Sequence, residues 1–302
     1  MKLRMGTRGS ALALAQSGQL ARRLMALTPG LEVETVVIKT SGDRFSALPP
    51  AEAAARAQAE GGGAKGLFVK EIEEALSAGR VDFAVHSGKD LPARLAAGLA
   101  IAAYPAREEP RDAFVGKDGR RLADLPAGSR VASSSLRRRV QLLAARPDLV
   151  FVEMRGNVDT RLRKMAAGSC EGLLLAEAGL RRLGRAEVAR ELLPVDVMVP
   201  SPAQGALAVE VARDGAALPL LSRLDDAETR EAVEFERAVL GELGGGCSTP
   251  LGVFARPQDD FLAVEAFLSR GDGGGAKRLS LRVSRARWRQ AAAELARDLR
   301  SS

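Results

Sequence analysis

The sequence predicts an α/β chain of three domains. Three observations carry that prediction. Strand-like apolar runs and amphipathic helix-like runs alternate along most of the chain, joined by polar turns. At 302 residues the chain exceeds what one ordinary core holds. After about Ser222 the alternation gives way to a long helix-like stretch followed by three strand-like ones.

The first domain is expected over 1–104 and 199–220. LRMGTRGS reads as a short strand entering a turn, where Ser10 is placed to cap the helix LALAQSGQLARRLMAL. ETVVIKTSGD is a second strand with its turn. Residues 46–64, rich in Ala, Pro and Gly, predict a mobile loop. GLFVKEIEEALSAG is a helix, with Phe68, Ile72, Ala75 and Leu76 on one face and Gly79 ending it. VDFAVHS is the next strand, and SGKDLP is the loop at its carboxyl end, which completes a βαβ unit.

The second domain, expected over 105–198, follows the polar stretch YPAREEPR. RVASSS is a strand, SLRRRVQLLAAR a helix, FVEMRG a strand, NVDTRLRKMAAG a helix, GLLLA a strand and EAGLRRLG helical. LPVDVMVPSPAQGALAVEVA crosses back and ends in a strand. The third domain, expected over 221–302, has the helix DDAETREAVEFERAVLGEL. A small three-stranded sheet from LGVFA, LAVEAFL and KRLSLRV follows, and then a final helix. The first two domains share one plan of strand, polar turn and helix.

With 46% apolar and 27% charged residues the composition is globular. No apolar run reaches the roughly 18 residues a membrane span needs, and MKLRMGTRGS lacks a signal-peptide core. Two distant cysteines, Cys170 and Cys247, make no disulfide framework, so a reducing cytoplasm is expected. The net charge is +7, with Arg far exceeding Lys. Three readings compete: a nucleic-acid surface, a pocket for a small polyanion, or compositional bias. Aromatics are only 4%, with Trp288 and Tyr104 the sole Trp and Tyr, which argues against base-stacking platforms.

The arginines cluster at turns. Arg8 precedes the Ser10 cap, Arg137 and Arg138 sit in the first turn of the helix opened by Ser133, Ser134 and Ser135, and Arg155 and Arg161 flank the next strand-to-helix turn. Arg181 and Arg182 follow in a further helical stretch. A helix N-terminus disfavours cations unless an anion is present. One such Arg is most simply a solvated basic face; several at the carboxyl ends of α/β strands point to an anion site. In VHSGKDLP, His86 is the lone histidine, beside Ser87, Lys89 and Asp90. Asp90 is either a turn-forming residue or a carboxylate that stabilises a cation within a basic site. Cys247 in ELGGGCSTPLG is either an inert thiol or an accessible one, and a His86–Cys247 dyad stays open. One His and two Cys are too few for a zinc site.

TRGSALALAQ, IKTSGD, KGLFVKEIEEAL, DFAVHSGKDLP, REEPRDAF, SSSLRRR, RGNVDTRL, LAEAGLRRLG, QGALAVE and GGGCSTPLG occur in that order over nearly the whole chain. Together they resemble the porphobilinogen deaminase (hydroxymethylbilane synthase) family. The resemblance implies two domains similar to type II periplasmic anion-binding proteins with the active cleft between them, and a smaller α+β domain. It implies a cytoplasmic, monomeric tetrapyrrole-pathway transferase with no nucleic-acid or membrane partner. Such an enzyme joins four porphobilinogens head to tail on a covalent dipyrromethane primer, loses ammonia each time, and releases hydroxymethylbilane by hydrolysis.

By the same resemblance Cys247 is the thioether attachment point and Asp90 the catalytic carboxylate. Arg8, Arg137, Arg138, Arg155, Arg161 and Arg182 match carboxylate-binding arginines, with Ser10, Lys89, Ser133 and Ser135 assisting. Phe68, His86 and Ser87 fall near the cofactor, and 46–64 falls where the family has a lid. Five departures stand out: Gly88 for Met, Ala132-Ser133 for Gly-Thr, Asp159 for Gly, Ala203 for Gly, and CSTP for CQVP. Three other classes remain as alternatives: a non-catalytic anion binder, a nucleic-acid binder, and a thiol hydrolase or transferase using His86 and Cys247.

Overall fold

The computed structural model describes residues 1–44, 69–244, 249–271 and 273–301. The predicted loop at 46–64, Phe68 and Cys247 lie outside the described residues. By compactness the chain divides into two units, Met1–Arg107 with Ala206–Arg230, and Glu108–Gly205 with Glu231–Ser302.

In the first unit, β1 (Lys2–Thr7) runs parallel to β2 (Glu32–Val37) and β3 (Phe83–Ser87). The edge strand β4 (Leu99–Ala103) joins through a returning strand, β10 in chain order (Leu207–Ala212), which is antiparallel to both β3 and β4. The sheet order is β2-β1-β3-β10-β4. Helix α1 (Ala11–Leu27) starts where expected, because the Ser10 hydroxyl accepts the Ala13 N–H at 3.3 Å. Its Leu20 and Leu24 pack on Leu3, Met5, Phe83 and Val85. The short helix α2 (Ser41–Arg44) follows β2. Helix α3 (Lys70–Ser77) covers the opposite face, with Ile72, Ala75 and Leu76 against Val81, Ala84 and Leu99. Gly79 at φ 64 takes the left-handed conformation that ends that helix. The period of two in β3 therefore turns Phe83 and Val85 toward α1, and Ala84 and His86 toward α3.

The second unit repeats the plan. β6 (Arg130–Ala132) is parallel to β7 (Val150–Val152) and β8 (Gly172–Ala176). β5 (Asp112–Gly116) is antiparallel to β8 and to β9 (Glu191–Leu192). Its order, β7-β6-β8-β5-β9, places each strand in the same role as its counterpart in the first sheet. In both sheets one strand runs antiparallel to its two neighbours, β10 in the first and β5 in the second. Helices α4 (Leu136–Ala145), α5 (Val158–Ala166) and α6 (Glu177–Arg182) follow β6, β7 and β8. In both units the functional turns therefore stand at the carboxyl ends of parallel strands, where α/β sheets place ligands.

Beyond the short helix α7 (Leu218–Leu221), helix α8 (Ala227–Glu242) leads into an antiparallel sheet. That sheet comprises β11 (Leu251–Gln258), β12 (Phe261–Leu268) and β13 (Lys277–Ser284), and α9 (Trp288–Arg300) follows. Phe235, Val253, Val264, Leu295 and Leu299 build its own core. It nevertheless belongs to the second compact unit. Buried Glu236 accepts the N–H groups of Ala203 at 2.6 Å and Ala255 at 2.8 Å, and Arg278 reaches Gln141 at 3.0 Å. Buried, charge-assisted bonds of this kind tie a small sheet firmly to its neighbour. Among the described residues no helix is long and apolar enough to cross a membrane.

Candidate active site

In the first unit, β3 ends at Ser87 and a tight turn, Gly88–Asp90, follows. The Gly88 N–H donates to the Ala206 carbonyl at 2.9 Å, which continues the β3–β10 ladder one residue past the strand. Lys89 and Asp90 are half-buried. No hydrogen bond or ion pair joins the Asp90 carboxylate to any described residue. His86, one residue before the turn strand ends, is different. It is buried in the α3 layer, with Nε2 at 3.0 Å from Oε2 of fully buried Glu210. Arg8 is half-buried at the carboxyl end of β1, and Ser10 spends its hydroxyl on the α1 cap.

In the second unit, the Ser135 hydroxyl caps α4 by accepting the Arg138 N–H at 3.5 Å, and Ser133 accepts the Ser135 N–H at 3.2 Å. The two arginines in that first turn are buried, and the anion that stabilises them is the chain's own Asp112. Arg137 Nη1 donates to Asp112 Oδ2 at 2.7 Å and to the Val199 carbonyl at 2.6 Å. Arg138 Nε donates to Asp112 Oδ1 at 2.9 Å, and its Nη1 to the Leu174 carbonyl at 3.0 Å. Gln204 adds a bond to Asp112 Oδ1 at 2.9 Å. Burial by itself would raise the Asp112 carboxyl. The two guanidiniums and the hydrogen bonds outweigh it and hold the group well below the usual carboxylate range.

One carboxylate facing two guanidiniums leaves a surplus positive charge. Arg161 adds to it. Burial first, then the charges of Arg138 and Arg155, push its guanidinium down to about 10, and no acidic side chain among the described residues offsets them. Its Nε donates to the Gly156 carbonyl at 2.8 Å. Gly156 sits at φ +118, and a Cβ there would lie 2.8 Å from Thr160, so glycine is needed for the turn. Arg155 pairs with Glu153 at 3.1 Å. Arg138, Arg155 and Arg161 thus form one electropositive cluster. Arg182 stands apart from that cluster: its Nη2 donates to the Gly205 carbonyl at 2.6 Å, and burial pushes it down to about 10 against the opposing charge of Glu108.

Asp159 does not cap its helix. Asn157 does, accepting the Thr160 N–H at 2.9 Å, while Asp159 pairs with Arg185. Its charge is therefore answered locally and is not aimed at Arg161. Sequence reasoning missed Asp112, Gln204 and Glu210. Asp112 and Gln204 stand inside the motifs REEPRDAF and QGALAVE, but their partners are far along the chain. Among the described residues no group of three or more His, Cys, Asp or Glu could hold a metal ion.

Residues 3–219 match the family described as "Porphobilinogen deaminase, dipyromethane cofactor binding domain", and residues 230–300 match "Porphobilinogen deaminase, C-terminal domain". Curated relatives of the chain carry the name Porphobilinogen deaminase. The relative from Syntrophus aciditrophicus is 48% identical over 88% of this chain and 84% of its own length. That from Syntrophotalea carbinolica is 48% identical over 90% of this chain and 84% of its own. That from Syntrophobacter fumaroxidans is 44% identical over 99% of this chain and 94% of its own.

Proposed function

Because the chain belongs to the porphobilinogen deaminase family, we propose that Asp90 is its catalytic carboxylate and Cys247 the tether of its primer. The protein is a transferase of tetrapyrrole biosynthesis, a hydroxymethylbilane synthase. It condenses four porphobilinogens head to tail on a dipyrromethane cofactor with loss of ammonia, and hydrolysis then frees hydroxymethylbilane. Bound, the dipyrromethane supplies a primer whose terminal pyrrole α-carbon accepts the first incoming unit.

The donor set fits that cargo. Every pyrrole brings an acetate and a propionate, and the second unit holds positive charge in excess of its acids around Arg138, Arg155 and Arg161. Guanidinium forks pair with carboxylates bidentately and so fix ring orientation as well as bind. Arg155 and Arg161 carry most of this role, with Arg8 and Arg182 at their own turns. Arg137 and Arg138, committed to Asp112, contribute through their surplus charge. Ser10, Lys89, Ser87, Ser133 and Ser135 line the same turns, and Phe68 and Cys247 act from outside the described residues. His86, buried on β3, supports the site from within.

The observation that carries the reading is Asp90, a carboxylate without a partner among the described residues, on a turn pinned at Gly88. Departure of ammonia leaves positive charge spread onto the pyrrole nitrogen of the incoming unit. A fixed carboxylate beside that N–H stabilises the charge and holds the proton that moves on carbon–carbon bonding. The reading extends to a monomer in the cytoplasm, acting on a small molecule with neither nucleic acid nor membrane as partner. Asp90→Asn is expected to cut kcat by about 100-fold or more, the range for loss of one electrostatic or acid–base group. Turnover near the wild-type rate in folded Asp90→Asn would remove Asp90 from the mechanism.

A further inference from the structure

The turn that carries Asp90 is bracketed by two acids that the reaction does not itself use. On the way in, His86 ends the buried run of β3, and its Nε2 lies 3.0 Å from Oε2 of Glu210 on β10. The register pairs His86 with Ala208 and Ala84 with Glu210, so the two side chains are diagonal neighbours on the α3 face. On the way out, the Ala96 N–H donates to Oε1 of Glu73 on α3 at 3.4 Å. Glu73 and Glu210 are themselves neighbours: burial first, then the Glu210 charge, push the Glu73 carboxyl up.

This arrangement is poor as a stabilising device. Glu210 is fully buried on strand β10, paired with Ala84 of β3 and Ile101 of β4. His86 is at bonding distance but out of line, and neither oxygen of Glu210 meets an aligned donor among the described residues. A buried carboxyl so placed costs free energy that an apolar side chain of similar volume would not. A cluster retained at such a cost, against the two flanks of a functional turn, has a positional use. We infer that Glu210 and Glu73 are positioning residues for Asp90, with Glu210 holding the entering strand through His86 and Glu73 holding the departing segment through Ala96.

The inference rests on Asp90 being the catalytic carboxylate, and the test separates the two claims. Glu210→Leu, Glu210→Gln, Glu73→Gln, Glu73→Gln/Glu210→Gln and Asp90→Asn are purified and their intact masses taken, so that rates refer to cofactor-loaded molecules. Steady-state kcat and KM for porphobilinogen are measured beside Tm.

Misplacement of a catalytic group by about 1 Å costs up to roughly 100-fold, so Glu210→Leu is expected to lose about 10- to 100-fold in kcat. Its KM should stay within about twofold and its Tm at or above wild type. Glu210→Gln, which keeps shape and polarity, should recover part of the loss. The double Gln variant should be slower than the product of the single effects by less than about twofold, or faster than it, because both act through one turn. If Glu210→Leu does not fold, the double Gln variant decides. A kcat within about twofold of wild type in folded Glu210→Leu, or in the double Gln variant if Glu210→Leu does not fold, overturns the inference and leaves a structural role only. Near-normal turnover in Asp90→Asn defeats the catalytic reading instead, whatever the Glu variants do.

Discussion

Ala203 is the residue where a departure from the family pattern has a legible physical cost. Its φ is 59, a left-handed conformation that a Cβ disfavours by about 1–2 kcal/mol. The family's glycine would avoid that penalty. Here the fully buried Glu236 carboxylate accepts the Ala203 N–H at 2.6 Å and holds the strained position in place. Ala203→Gly is therefore expected to stabilise the protein by about 0.5–1 kcal/mol, the relief of strain less the added freedom of the unfolded chain. A denaturant midpoint equal to or below that of the parent would contradict this. At the same scale Asp159 shows where single-residue reading stops. A helix-start Asp looks like a cap, but the cap is Asn157, and the partner of Asp159 is Arg185, 26 residues along.

At the scale of elements, α4 is the informative case. Its start was legible, because three serines before an amphipathic run announce a cap, and Ser135 provides it. Two arginines in that first turn also announced an anion. That the anion is Asp112 of β5 was not legible, since strand pairing, not local sequence, brings β5 beside β8 and its neighbours. The consequence is a pH-dependent contribution of known sign. Asp112 is depressed in the folded protein, so its stabilisation is fully present above the ordinary Asp value of about 3.9 and is lost as pH falls through the lower folded value. Asp112→Asn leaves two buried guanidiniums without their counter-charge and should cost about 3–5 kcal/mol at neutral pH. The gap between variant and parent should close as the pH is lowered below about 4, and a gap that stays constant across that range in chemical denaturation would refute the assignment. Helix α3 was readable from its apolar face and Gly79, whereas Glu73 and Glu210 read as ordinary polar positions until β10 was placed against β3.

For the whole molecule, the charge of +7 is resolved by where the arginines go. Many are paired: Arg4 with Asp82, Arg130 with Glu171, Arg146 with Asp148, Arg190 with Glu177 and Arg285 with Glu231. Around Arg138 and Arg161 positive charge gathers among the described residues, which suits the carboxylates of the proposed pyrrole chain. Composition alone could not place that charge, because a sum of charges carries no positions. The alternation of strands and helices did announce two like sheets, and the carboxyl ends of their parallel strands carry the turns that the motifs singled out. In the proposed function the arginines hold a polyanionic chain, Asp90 stabilises the cation at its growing end, and Cys247 anchors the other end. Intact-protein mass spectrometry of wild type and Cys247→Ser tests that claim most directly. The wild type should exceed its sequence mass by two linked pyrrole units, and Cys247→Ser should not. Full activity in a wild type of unmodified mass, or the same added mass on Cys247→Ser, would contradict it.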